Sequence, residues 1–210
     1  HQVRAVVERD LRTSENPLIV TGFAGLDTLI DFAASYPPDH GTLRLLLGQE
    51  PSTSTRETYR LARNAFPQEI QEYWLAHGVS LLLSGKLIAL MDRLKAGQVQ
   101  ARYLVQGASR LHAKIYCGDD AVTVGSSNFT RPGLNYQLEA NVRFTHGREP
   151  KRHREIRAVA ENYWAMGVDY NEALLQLLEQ LLKVVGWREA LARACAELLE
   201  GEWARAYLDH

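Results

Sequence analysis

Hydrophobic and polar positions give the chain two textures. Up to about residue 150, short apolar runs bounded by Gly, Pro or Asp alternate with longer runs of helical spacing; beyond it the spacing is helical throughout. "PLIVTG" (Pro17–Gly22) is short, apolar and closed by Gly, which predicts a buried strand. Gly25–Ala34 follows with Leu26, Leu29, Ile30 and Phe32 on one helical stripe. A turn at Asp39–Gly41 leads into a second strand, Thr42–Leu47. Gly48–Arg56 is rich in Pro, Ser and Thr and reads as a loop. Glu57–Phe66 and Pro67–His77 read as two helices divided at Pro67, which suits a first helical position. Ser84–Ala96 is a further helix stopped at Gly97, and Val99–Val105 alternates as a strand. Leu111–Cys117 and Ala121–Val124 form a predicted hairpin around Gly118–Asp120, and Leu138–Phe144 a last strand.

From Lys151 onward three helix-like segments are separated by Gly167 and Gly186, residues suited to helix ends. The face of Asn171–Val185 carries Leu174, Leu175, Leu177, Leu178, Leu181 and Leu182, wide enough to pack on the chain's own body or on another unit. The expected organisation is an α/β domain over residues 1–150 and a helical extension over residues 151–210. The chain begins at His1 without Met and ends in an interrupted helix, so a longer parent protein with a downstream domain is expected.

Composition narrows the classes. With 46% hydrophobic and 23% charged residues the chain reads as soluble and globular. A net charge of -1 supplies no global basic field, so an anion site must be local. Two cysteines, Cys117 and Cys195, make no disulfide framework, and no apolar run resembles a signal peptide or a membrane span. A reduced, cytoplasmic setting is the expectation, with no membrane partner.

The chemistry concentrates in "LHAKIYCGDDAVTVGSSNFT" (Leu111–Thr130). On a strand, His112, Lys114 and Tyr116 share one face. An imidazole beside an ammonium makes sense where an anion sits between or above them. Gly125-Ser126-Ser127-Asn128 ends the next strand with hydroxyl, amide and backbone donors, and Gly allows a ligand close to the backbone. A hairpin return brings this turn near His112, an arrangement suited to gripping phosphate oxygens.

These residues resemble the HKD signature of the phospholipase D superfamily. "HAK", then four residues and Asp119, then "GSSN", follow that pattern, and "YQLEANV" places Glu139 where the family has an acidic residue. The likeness spans Leu111–Val142, and "GSSNFT" is particularly like the nuclease and helicase-associated branch. Five residues separate Asp119 from Gly125 where the family has six, a shortened turn in which Asp120 could stand for Asp119. The resemblance implies a phospholipase D-like mixed sheet flanked by helices. It implies His112 as the nucleophile forming a phosphohistidine, Lys114 and Asn128 on the non-bridging oxygens with Ser126 helping, and Glu139 fixing the His112 tautomer. Asp119 would tie down the turn. No metal and no cofactor is implied.

Family members build one active site from two HKD copies. One imidazole must be neutral to attack while another is protonated to release the leaving oxygen. This chain has one His-x-Lys; His1, His40, His77, His146, His153 and His210 lack a Lys two positions on. A homodimer completing the site is therefore expected. For the substrate, the absence of an evident lipid anchor and a set of basic residues favour nucleic acid: DNA first, RNA as an alternative. That set comprises Arg102, Arg110, Arg131 and Arg143, then Arg148, Lys151, Arg152, Arg154 and Arg157. Arg131, Arg110 and Ser127 are the expected substrate contacts. The expected function is a metal-independent DNA endonuclease, the nuclease part of a restriction, helicase or defence protein. A phospholipase or phosphatidyltransferase, and a silent nucleic-acid-binding module of a helicase, are the alternatives.

Overall fold

A computed structural model describes residues 3–37, 39–48, 81–106 and 109–184 of the chain. The predicted loop at 48–56 beyond its first residue, the predicted helices at 57–66 and 67–77, and the last predicted helix lie outside these residues. Residues 3–12, to which the apolar pattern assigned no element, form α1 (Val3–Arg12). Val7 and Leu11, one turn apart, are buried, while Glu8 bridges Arg4 and Arg12 at 2.6 and 2.9 Å. The predicted strands appear as β1 (Leu18–Thr21), β2 (Leu43–Leu47) and β3 (Val99–Tyr103), with α2 (Leu26–Ser35) after the first. The helix before β3 is α3 (Leu81–Lys95). It stops where Gly97 turns left-handed at φ 71, a conformation that strains other residues.

The predicted strand through Val105 ends earlier, at Tyr103. Val105–Gln106 (β4) turns aside to pair with Ser109–Arg110 (β5) as a separate ribbon. The predicted hairpin is β6 (Lys114–Cys117) and β7 (Ala121–Gly125). A short helix α4 (Arg131–Asn135), strand β8 (Asn141–Thr145), helix α5 (Pro150–Met166), strand β9 (Val168–Asp169) and helix α6 (Asn171–Val184) complete the order.

Seven strands form one mixed sheet in the order β8-β7-β6-β1-β2-β3-β9. β1, β2 and β3 are parallel, whereas β6, β7 and β8 return antiparallel to one another and β9 runs antiparallel to β3. Alternation along the strands builds two cores. On one face Ile19, Leu45, Ala101 and Tyr116 meet α1, α2, α3 and α6 through Leu11, Phe32, Leu90 and Leu174. On the other, Leu18, Val20, Leu46, Ile115, Cys117 and Val122 meet Ala160 and Trp164 of α5. The apolar face of α6 thus turns to its own chain, with Leu174, Leu177 and Leu178 buried. α5 is fixed to the sheet by polar contacts as well. Arg44 of β2 grips Glu161 with two bonds of 2.6 and 2.7 Å, holding that carboxyl below the usual carboxylate range. The guanidinium groups of Arg44 and Arg102 lie 5.6 and 4.5 Å from the Trp164 ring.

His153 of α5 is buried beside the β6–β7 turn, its ring 5.6 Å from that of His146 and edge-on to it. Burial, with Arg157 and His146 adding repulsion, pushes its pKa below the ordinary value of 6.5; Gly118 and Asp120 oppose this more weakly. The unfolded chain therefore takes up this proton before the folded one. Its contribution to stability is complete above about pH 6.5 and is lost as pH falls toward the folded value, by at most about 1.4 kcal/mol per pH unit. Chemical denaturation between pH 7.5 and 5 should show that loss, and His153→Phe should flatten it.

Candidate functional site

The site lies at the end of the sheet where the parallel strands β1 and β2 finish and β6 begins. Register puts Thr21 opposite Lys114, and Gly125 opposite Asn141. Ile115 faces Val124, so the next pair along is Lys114 with Gly125. Thr21, Lys114, Gly125 and Asn141 therefore run as one row across four strands. His112, Ser127 and Glu139 each lie two residues beyond this row, past the ends of the strands. Pairing thus gathers four segments that lie far apart in sequence.

Lys114 is only 3% exposed, and its ammonium donates to the His112 carbonyl at 3.0 Å. His112 itself is exposed. A buried lysine and an exposed imidazole thus stand two residues apart at this end of the sheet.

The Gly125–Asn128 turn is held from three sides. Ser126 N–H donates to the Ala140 carbonyl, and Ala140 N–H to Ser126 Oγ, each at 3.0 Å. The Tyr116 hydroxyl donates to the Ser127 carbonyl at 2.6 Å. Burial drives the Tyr116 phenol far above the tyrosine range, partly opposed by Thr21 and reinforced by the charge of Glu139. Behind the turn, Phe129 is fully buried against Phe32 and Tyr116. Its N–H donates to Thr21 Oγ1 at 3.2 Å, and its carbonyl accepts from Gly25 N–H at 2.9 Å. Thr130 then caps α4 by accepting from Gly133 N–H.

The other expected site residues fall as follows. Ser126 is exposed, Asn128 and Glu139 are half-buried, and Arg131 is exposed at the first position of α4, three residues from Asn128. Ser127 is fully buried, with Oγ accepting from Asn141 Nδ2 at 2.8 Å, so it faces inward behind the turn. Arg110 belongs to β5. Asp119 lies at the opposite end of β6, about 20 Å from His112 at strand rise. There it accepts from Glu15 N–H at 2.6 Å and pairs with Arg157 at 3.3 Å, while its own N–H donates to Ser14 Oγ at 2.8 Å.

The expected basic rim is largely used elsewhere. Arg102 stacks on Trp164, Arg143 pairs with Asp10, and Arg157 donates to the carbonyls of Gly118 and Asn16. The contact of Arg157 with Gly118 places the first turns of α5, with Lys151, Arg152 and Arg154, at the far end of the sheet. Adjacency in sequence to the motif misled here, because β8 carries the chain away from the site before α5 starts. The pattern also passed over Thr21 and Asn141. Asn141 stands inside the "YQLEANV" stretch, but its bond to Ser127 crosses strands and leaves no periodic trace.

A family model described as "Cardiolipin synthase, PLD-like domain" matches residues 61–164, which include the His-x-Lys strand, the Gly-Ser-Ser-Asn turn and Glu139. Over these residues the chain is phospholipase D-like. Solved structures of similar fold include NucT from Helicobacter pylori, at 10% identity over 80% of this chain and 90% of that one, with a TM-score of 0.51. Nuc from Salmonella typhimurium, a phospholipase D family member, matches at 16% identity over the same shares with a TM-score of 0.49. TrmBL2, an archaeal chromatin protein, matches at 14% identity over 80% of this chain and 50% of that one, with a TM-score of 0.41. No curated protein matches the chain in sequence. The mixed sheet flanked by helices is thus the phospholipase D-like fold.

Two substitutions separate the ends of the sheet. Asp119→Ala should cost about 1–2 kcal/mol in urea unfolding, since it removes a bond to a backbone N–H and a half-exposed ion pair. It should leave the NMR shifts of Ala113–Ile115 in place. Tyr116→Phe keeps the ring packing but leaves the Ser127 carbonyl without its phenolic donor. A similar loss of about 1–2 kcal/mol is expected, this time with shifts concentrated in residues 125–128.

Proposed function

We propose that this chain is a homodimeric, metal-independent phosphodiesterase acting on DNA as an endonuclease. The observation that carries the reading is the row geometry. A buried Lys114, two residues from an exposed His112, stands in one row with Gly125 and Asn141 at the end of the sheet where the Gly125–Asn128 turn begins.

In this reading the neutral His112 imidazole attacks phosphorus and displaces the leaving oxygen, giving a phosphohistidine. Lys114, Asn128 and Ser126 stabilise the charge that gathers on the non-bridging oxygens. Glu139 holds the His112 tautomer that leaves the attacking nitrogen unprotonated. The imidazolium of a second copy's His-x-Lys motif gives its proton to the leaving oxygen. It then takes a proton from the water that hydrolyses the intermediate. Two identical imidazoles facing one phosphate titrate as a pair, so one holds the proton while the other attacks. Asp119 serves the far turn and stays out of the chemistry.

Arg131 supports a nucleic-acid backbone, being exposed at the first position of the helix that follows the turn. Among the described residues no helix is long and apolar enough to cross a membrane. A role as the nuclease part of a restriction, helicase or defence protein follows from the likeness of "GSSNFT" to that branch.

A second reading is phosphatidyl transfer or phospholipid cleavage. The description of the matching family model names cardiolipin synthase, and Tyr136, Leu138 and Val142 are exposed beside Glu139.

Incubation with plasmid DNA in excess chelator, in parallel with phospholipid vesicles, separates the two. Nicking of DNA without release of lipid phosphate is the expected result; lipid turnover alone would overturn it. His112→Ala should lower cleavage about 10⁴-fold and Lys114→Ala about 10²–10³-fold, with DNA binding kept. DNA binding without cleavage by the wild-type chain, unaltered in His112→Ala, would make the chain a silent binding module. Sedimentation should give twice the 23.7 kDa chain mass.

A further inference from the structure

Asn141 opens β8 directly opposite Gly125. Its Nδ2 donates to Ser127 Oγ at 2.8 Å, while its Oδ1 is buried with no hydrogen-bond partner. A Cβ at position 125 would lie 2.3 Å from that Oδ1 and 2.3 Å from the Ala140 carbonyl. The motif's glycine is thus required by the close approach of this amide and its backbone, apart from any ligand. Ser127 in turn is bound on both sides, at Oγ by Asn141 and at its carbonyl by the Tyr116 hydroxyl. The residue that immediately precedes Asn128 is therefore anchored at both side chain and backbone. A buried acceptor left unmatched is costly, and native structures concentrate such costs where geometry serves function. An apolar residue packed against Gly125 would spare the cost but lose the grip on Ser127.

We propose that Asn141 is a positioning residue: acting through the Ser127 hydroxyl, it sets the direction in which Asn128 faces the phosphate. Its catalytic consequence rests on the phosphodiesterase reading above; its structural core does not. Asn141 touches Ser127 and not the reacting atoms, so its loss should lower kcat more than it raises KM.

The test compares Asn141→Ala, Ser127→Ala, the double variant and Asn141→Asp. With bis-p-nitrophenyl phosphate as substrate, each alanine variant should lose about 10- to 100-fold in kcat with KM within about two-fold. The double variant should lose no more than the worse single one. The independent readout is NMR of the side-chain amides. Both alanine variants should displace the Asn128 amide pair in the same direction. Asn141→Asp, whose carboxylate can accept the Ser127 proton, should leave that pair near its wild-type position. Asn128 signals unmoved by Asn141→Ala, or losses in the two alanine variants that multiply, would overturn the proposal. A wild-type chain that cleaves no phosphodiester would sink the enzymatic reading, while the Asn128 signals would still decide the role of Asn141. If Asn141→Ala fails to fold, Ser127→Ala and Asn141→Asp carry the same comparison.

Discussion

Pairing of β6 with β1 at Thr21 and Lys114 is the constraint from which the site follows. It puts an ammonium into the interior at the one place where the sheet ends and water is close. It sets the parity of the whole strand, so that Tyr116 enters the core on the same face as Lys114. A shift of one residue would send Lys114 and Tyr116 to the α5 face and bring Ile115 to the mouth. The parallel strands resist such slippage because Ile19, Leu45 and Ala101 are fully buried on that face.

Around this pairing, rigidity is distributed unevenly but with a clear division. At the far end, Asp119, Arg157 and Ser14 lock the β6–β7 turn to the segment joining α1 and β1. At the near end the locks are placed behind the reactive surface: Tyr116 on Ser127, Thr21 on Phe129, Gly25 on Phe129. The turn is thereby held by neutral hydrogen bonds and aromatic packing, whose strength does not fall with salt.

Much of this was legible in the sequence, for reasons that differ from element to element. The hairpin showed itself because alternation and a Gly-Asp-Asp turn occur together over a few residues, and the shared face of Lys114 and Tyr116 followed from parity alone. Gly97 marked the end of its helix because its left-handed backbone is a local property. The motif order gave the superfamily, and with it the mixed sheet. α1 was passed over: its stripe is only Val3, Val7 and Leu11 among charges, and its burial comes from partners elsewhere in the chain. The tasks of Arg102, Arg143 and Arg157 were hidden for the same reason. Each is settled by a partner tens of residues or more away, such as Trp164, Asp10 or Gly118, and charge counting assigned all three to a groove. Asn141 could be quoted from the sequence but not understood from it, because its partner sits on the next strand.

The two edges of the sheet differ in kind. β9 is two residues long, and its Asp169 carboxylate is occupied by the N–H and amide of Asn171. β8 is five residues long and bears the exposed Val142. An incoming strand finds almost no ladder on the first side and a full-length template on the second. Among the described residues, growth of the sheet by strand addition is therefore one-sided: a strand laid along β8 would run beside Asn141, at the same end of the sheet as Lys114.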